Sequence, residues 1–177
     1  FRVKSQTDTM FKKLLFLLAK QEHKEYLHVG VASHNLFDIA LASVIKKEEG
    51  LEESLQFEML EGMSNHVKRV VNRLNGGIVL YSPTAEEKSF HNSVAYLIRR
   101  LDEVTGPGHF LRSSFGMKLG DKNWEQEKQK FCQSLDASLG NDPALEETHR
   151  TMNRAQALSY SNGTKRDPFY NECDTGI

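Results

Sequence analysis

Apolar runs long enough to cross a bilayer are missing: the longest, Leu14 to Ala19, falls far short of the roughly 18 residues a spanning helix needs. Cysteine is scarce. Cys132 and Cys173, the two in the chain, match no metal or redox spacing, which argues against a disulfide framework and points to reduced thiols in a reducing compartment. The seven histidines are scattered without an HExxH-like pattern, so no metal site is expected. Charge of one sign is also missing. The formal net charge is -1 and the basic residues form no stripe, so the chain lacks a nucleic-acid footprint. The start, Phe1-Arg2-Val3-Lys4, has neither an initiator Met nor a charged-then-apolar leader, and the expectation is a piece of a longer cytoplasmic protein. The sequon Asn162-Gly163-Thr164 is read as chance.

What is present is an alternation of strand-like and helix-like stretches. Phe1 to Lys4 reads as short and extended, and Thr7 or Asp8 caps a helix to about Lys20, with Leu14, Leu15, Leu17 and Leu18 on its apolar face. Tyr26 to Ala32 reads as a buried strand, and Leu36 to Lys47 as a helix with Phe37, Leu41, Val44 and Ile45 inward. Leu55 to Leu60 repeats the strand, Ser64 caps a helix over His66 to Leu74, and Asn75-Gly76-Gly77 stops it. Ile78 to Tyr81 is the next strand. Thr84 and Glu87 read as a capping box for a long helix that buries Phe90, Val94, Leu97 or Ile98, Leu101 and Val104. Four such alternations predict an α/β fold with a parallel sheet, either doubly wound or part of a barrel, with chemistry at the C-terminal strand ends. Past Thr105, Gly106-Pro107-Gly108 breaks the helix, Asp121 to Leu139 reads as an amphipathic surface helix anchored by Trp124, and the polar remainder has linker composition.

The most chemically loaded stretch is Tyr96-Leu97-Ile98-Arg99-Arg100-Leu101-Asp102-Glu103. Helical steps of three and four allow Tyr96, Arg99, Arg100 and Glu103 to share a face, and two guanidiniums beside a phenol suit a small carboxylate or a phosphate. The same residues also fit a solvated face held by ion pairs.

In order, Lys4 with Thr7-Asp8, Val31-Ala32-Ser33-His34-Asn35, Phe57-Glu58-Met59-Leu60-Glu61-Gly62-Met63, Tyr81-Ser82-Pro83 and Tyr96 to Glu103 resemble the C-terminal half of the proline dehydrogenase barrel in the bifunctional proline utilization flavoenzymes. The match runs over roughly residues 1 to 104, and Phe169 to Thr175 is similar to the family's passage into its aldehyde dehydrogenase module. The resemblance implies the second half of a (β/α)8 barrel over 1–115, with about four parallel strands, and a helical arm and linker over 116–177. It implies FAD-dependent oxidation of L-proline to 1-pyrroline-5-carboxylate, on the route to glutamate. Arg99 and Arg100 would hold the substrate carboxylate, and Tyr81, Tyr96 and Leu60 would wall the ring. Lys4 and Ser33-His34-Asn35 would hold the pyrophosphate and adenosine side of FAD, with Arg100 also on the cofactor side and Glu103 at the adenosine end. No residue is assigned as catalytic, and no acidic neighbour is expected near the substrate amine. The implied partners are a quinone or other electron acceptor, the first half of the barrel, and the aldehyde dehydrogenase module, to which any NAD belongs. Membrane association of the parent at the inner face is a further expectation. Ser33 stands where the family has threonine, and three extra residues separate Tyr81 from Tyr96. The competing reading is a non-catalytic helical scaffold whose Arg99-Arg100 face binds an acidic partner.

Overall fold

The computed structural model describes residues 4–106 and 108–140, apart from the side chain of Glu103. The expected first strand at Phe1 to Lys4 and the polar C-terminal stretch lie outside those residues, except that Lys4 is the first residue of a helix rather than the end of a strand. That helix, α1, spans Lys4–Leu18. It is followed by β1 (Val29–Ala32), α2 (Leu36–Glu48), β2 (Leu55–Leu60), α3 (Asn65–Asn75) and β3 (Ile78–Tyr81). Beyond the sheet lie α4 (Phe90–Thr105), α5 (Phe110–Ser114) and α6 (Lys122–Leu139).

The sheet has three parallel strands among the described residues, in the order β1-β2-β3, with Val31 beside Phe57 and Phe57 beside Ile78. Parallel pairing of consecutive strands requires a crossover, and α2 and α3 provide it. Alternation along β2 turns Leu55, Phe57 and Met59 toward the helices, where each is almost fully buried. They meet Leu15 and Ala19 from the α1 side, Ile39, Ala42 and Ile45 from α2, and Val71 from α3 in one core. Burial of a side chain such as Phe57 contributes about 1.5–3 kcal/mol.

Several sequence expectations are corrected. Tyr26 is 81% exposed, because a turn of 3-10 helix at Gln21–His23 holds the chain: the Tyr26 and Leu27 amides both donate to the His23 carbonyl, and β1 starts only at Val29. On α1, Leu14, Leu17 and Leu18 are exposed, while Thr9, Lys12 and Leu15 are buried. On α2, Val44 is exposed and Asp38, Ile39, Ala42, Ile45 and Lys46 face inward. Ser64 adopts a left-handed conformation and makes no capping bond, and Thr84 caps nothing. Glu86 is extended, a single 3-10 turn follows at Glu87–Ser89, and α4 begins at Phe90. The apolar stripe of α4 is uncovered among the described residues, with Phe90, Val94, Leu97, Ile98 and Leu101 all exposed.

Helix α6 lies against α1, α2 and α5. Asp121 caps it by accepting from the Trp124 amide at 2.7 Å. Phe37 of α2 then gathers Trp124, Phe131 and Phe110 at centroid distances of 4.9, 5.6 and 6.3 Å. Edge-to-face, tilted and stacked aromatic pairs of this kind add about 0.5–1.5 kcal/mol each beyond their buried area.

Candidate functional site

The three strands end on one side of the sheet, and there the chain forms a cleft of about 390 Å³. Its wall includes Lys4 and Asp8 of α1, Ser33-His34-Asn35 after β1, Glu58 and Leu60 of β2, Tyr81 at the end of β3, and His109 before α5. This is the face on which parallel α/β sheets bind ligands, because strand-end loops supply side chains and amides without disturbing the core.

The loop after β1 is held by its own polar groups. Asn35 caps α2 by accepting from the Phe37 amide at 3.0 Å, and the Asn35 amide donates to Ser33 Oγ at 3.0 Å. His34 is tied across the sheet: the Leu60 amide donates to its Nε2 at 3.1 Å. That bond requires an unprotonated Nε2 and so assigns the imidazole proton to Nδ1. Nδ1 is buried with no hydrogen-bond partner among the described residues. Burial, aided by the positive charge of Lys68 and by His109, holds the His34 pKa below its ordinary value, so the ring stays neutral.

Lys4 Nζ stands 2.6 Å from Asp8 Oδ1 on the rim, one helical turn apart. Deeper in the wall, Asp38 pairs with Lys12. Burial nevertheless raises the Asp38 carboxyl, and the Lys12 hydrogen bond and charge only oppose the shift. Glu61, just past β2, is held low by Lys68 and by the Gly62 amide, with Lys68 Nζ at 3.0 Å from Oε2.

Tyr81 is shared between this cleft and a shallower one toward α4, whose lining includes Ser82, Pro83, Asn92 and Tyr96. The Arg100 guanidinium lies over the Tyr96 ring at 5.3 Å, a cation–π geometry. Of the sequence-derived candidates, then, Lys4, Ser33, His34, Asn35, Leu60 and Tyr81 come together at one cleft, and Tyr96 with Arg100 stands beside the second. Arg99 is exposed and lines neither. The side chain of Glu103 lies outside the described residues.

A family model for proline dehydrogenase matches residues 1–113, well over half of the chain. The chain belongs to the proline dehydrogenase family. The fold agrees: the structure of Proline Utilization A (PutA) from Corynebacterium freiburgense is similar to it at a TM-score of 0.63 and 28% sequence identity, over 78% of this chain. The aligned part amounts to 12% of that protein, so this proline dehydrogenase family chain spans a small share of the neighbour's length. Comparison with the curated proteins gives no significant match. The three-stranded parallel sheet accords with part of a proline dehydrogenase barrel.

Sequence reading missed Glu58, Asp38 and His109. Glu58 carried a signal, since with Gln56 it puts polar side chains at alternate positions of the strand, which marks a second face with its own demands. It also brings a carboxylate to the cleft wall, beside Asp8 and Asp38. Asp38 and His109 have no local signal, since partners remote in sequence bring them to the cleft.

Proposed function

We propose that the chain is the part of an FAD-dependent L-proline dehydrogenase that binds the substrate carboxylate and one side of the flavin, with 1-pyrroline-5-carboxylate as product. The observation that carries this reading is the strand-end cleft, where Lys4, Ser33, His34, Asn35, Leu60 and Tyr81 meet in a chain of the proline dehydrogenase family. The residues fit the cofactor. The buried Nδ1–H of His34 is a donor without a partner, Lys4 offers a cation on the rim, and the start of α2 adds a positive dipole end, a combination suited to a phosphate-bearing group.

Bound FAD would supply the hydride acceptor. The chain's own residues position the substrate: Arg100, held against Tyr96, and Arg99 receive the carboxylate as forked donors, while Tyr81, Tyr96 and Leu60 flank the ring. Glu103 takes the adenosine end, and Arg100 serves both ligands. The proposal extends to the parent protein. Residues 116–177 are an arm toward an aldehyde dehydrogenase module, which alone uses NAD. The parent is cytoplasmic, passes its electrons to a quinone or similar acceptor, and meets the inner membrane face peripherally. No described helix is long and apolar enough to cross a membrane. A helical scaffold binding an acidic partner would need no parallel sheet, and the β1-β2-β3 sheet favours the dehydrogenase.

The test is flavin absorbance with proline-dependent dye reduction on the full-length protein. Yellow protein that reduces dye with proline is expected, and Arg100→Ala lowers kcat/KM for proline by about 2–5 kcal/mol, the cost of truncating one partner of a desolvated charge pair. A colourless wild type, or proline kinetics unchanged in Arg100→Ala, overturns the reading.

A further inference from the structure

Glu58 and Tyr81 share the face of the sheet opposite the core. The register sets Ala32 and Val79 on either side of Glu58, and Leu60 beside Tyr81, so Glu58 and Tyr81 are diagonal neighbours across adjacent strands. Diagonal pairs lie within reach of long side chains. Both residues line the strand-end cleft, and the nearby Glu58 carboxylate, as hydrogen-bond partner first and by its charge second, raises the Tyr81 phenol above its ordinary value.

In the other direction the same carboxylate occupies space over β1. A Cβ built on Gly30 would overlap Glu58 Oε1 and stand 2.6 Å from its Cδ. Gly30 is not among the described glycines whose φ is positive, so its backbone does not call for glycine. Glycine within a strand costs roughly 0.5–1 kcal/mol relative to alanine, and here the missing side chain is the notch that admits the carboxylate. One carboxylate therefore bridges three strands, from Gly30 through Glu58 to Tyr81.

We propose that Glu58 is a positioning residue for Tyr81: seated in the notch left by Gly30, its carboxylate fixes the phenol that forms the common wall of the two clefts. A carboxylate only accepts hydrogen bonds, so the Tyr81 hydroxyl is committed as donor to Glu58 and its ring is held against rotation. The effect on a proline ring rests on the proposed function; the Gly30–Glu58–Tyr81 arrangement does not. Lys4, Asp8, His34, Asp38 and His109 are the other ionisable groups on the same cleft wall.

The experiment is an ultraviolet tyrosinate titration of the full-length protein, with Tyr81→Phe subtracted to isolate Tyr81, alongside proline kinetics. Wild type is expected to titrate above the ordinary phenol value of about 10. Glu58→Gln, which keeps shape and an acceptor oxygen but removes charge, lowers that midpoint, and Glu58→Ala, which removes the acceptor, raises KM for proline about tenfold, the size of one lost hydrogen bond, with a smaller change in kcat. Gly30→Ala lowers the midpoint as well, and Gly30→Ala with Glu58→Ala recovers the stability that Gly30→Ala alone loses. A Tyr81 midpoint unchanged in Glu58→Gln overturns the proposal whatever the activity, and so does a KM for proline unchanged in Glu58→Ala. A wild type that does not oxidise proline but shows the shift removes the substrate reading and supports the arrangement.

Discussion

Lys12 Nζ lies 2.7 Å from Asp38 Oδ1, and only 1% and 9% of the two side chains is exposed. The pair joins α1 to α2 beneath the cleft, and the Lys12 ammonium also sits 4.8 Å from the Phe131 ring centre, which brings in α6. Three helices therefore converge on one buried cation.

Removing one partner of such a pair leaves a charge without compensation, which costs about 3–5 kcal/mol. Lys12→Met should lower unfolding stability in urea by that order, whereas Lys12→Met with Asp38→Leu should recover most of the loss. The pH dependence has a definite sign. Burial raises the folded Asp38 pKa above 3.8, so its contribution is present below that value and is lost as pH rises through the folded one. The Lys12→Met deficit should accordingly shrink in acid. Equal destabilisation by the single and double variants would contradict this account.

His34 links β1 to β2 through the Leu60 amide. Its folded pKa is depressed, chiefly by burial, so its contribution is present above the unfolded value of 6.5 and is lost as pH falls through the folded value. Protonation places a hydrogen on Nε2 and expels the Leu60 N–H. Protection of the Leu60 amide, measured against a reference amide whose exchange simply slows in acid, should fall as pH drops through the folded His34 value, which lies below 6.5. His34→Ala should cost about 1–3 kcal/mol at neutral pH by orphaning that amide. Unaltered Leu60 protection in His34→Ala would rule out the link.

The start of α6 carries a second pH-dependent contact. Backbone amides of Lys118 and Trp124 hold the Asp121 carboxyl below its ordinary value of 3.8, so the cap is present above that pH and lost as pH falls through the folded pKa. Asp121→Asn should keep α6 protected at neutral pH and abolish the acid sensitivity of its first turn, while Asp121→Ala should fray that turn at every pH. Amide exchange at Trp124 and Glu125 reads both outcomes, and identical acid profiles in wild type and Asp121→Asn would refute the cap's role.

Legibility in the sequence followed the reach of each interaction. The bounds of β2 and β3 and the start of α2 were readable because short apolar runs, the polar Ser33-His34-Asn35 break and the Asn75-Gly76-Gly77 stop are local signals. The inward face of α1 was not, because seven of its fifteen residues, Met10, Phe11, Leu14, Leu15, Phe16, Leu17 and Leu18 among them, are apolar and allow several phases. The choice among those phases is made by Lys12, whose burial depends on Asp38 in another helix. The stripe of α4 was read correctly as apolar and wrongly as buried, since periodicity tells which residues share a face and not what covers it. At the cleft, residues in strand-end motifs such as His34 and Tyr81 were legible, whereas Glu58 acquires its meaning only from Gly30 and Tyr81 on neighbouring strands.

Gly76 and Gly77, both at positive φ, deliver the chain from α3 into β3, and the Glu61 amide donates to the Tyr81 carbonyl at 2.8 Å at the strand's far end. The two sides of β3 therefore differ in their tolerance of length change. One residue inserted at the glycines would invert the strand's facing and turn Tyr81 toward the helices. The Ser82 to Glu86 stretch lies beyond the last paired residue, in irregular backbone, and could lengthen without altering which way Tyr81 looks. Natural variation in loop length should collect after β3 and be filtered out before it.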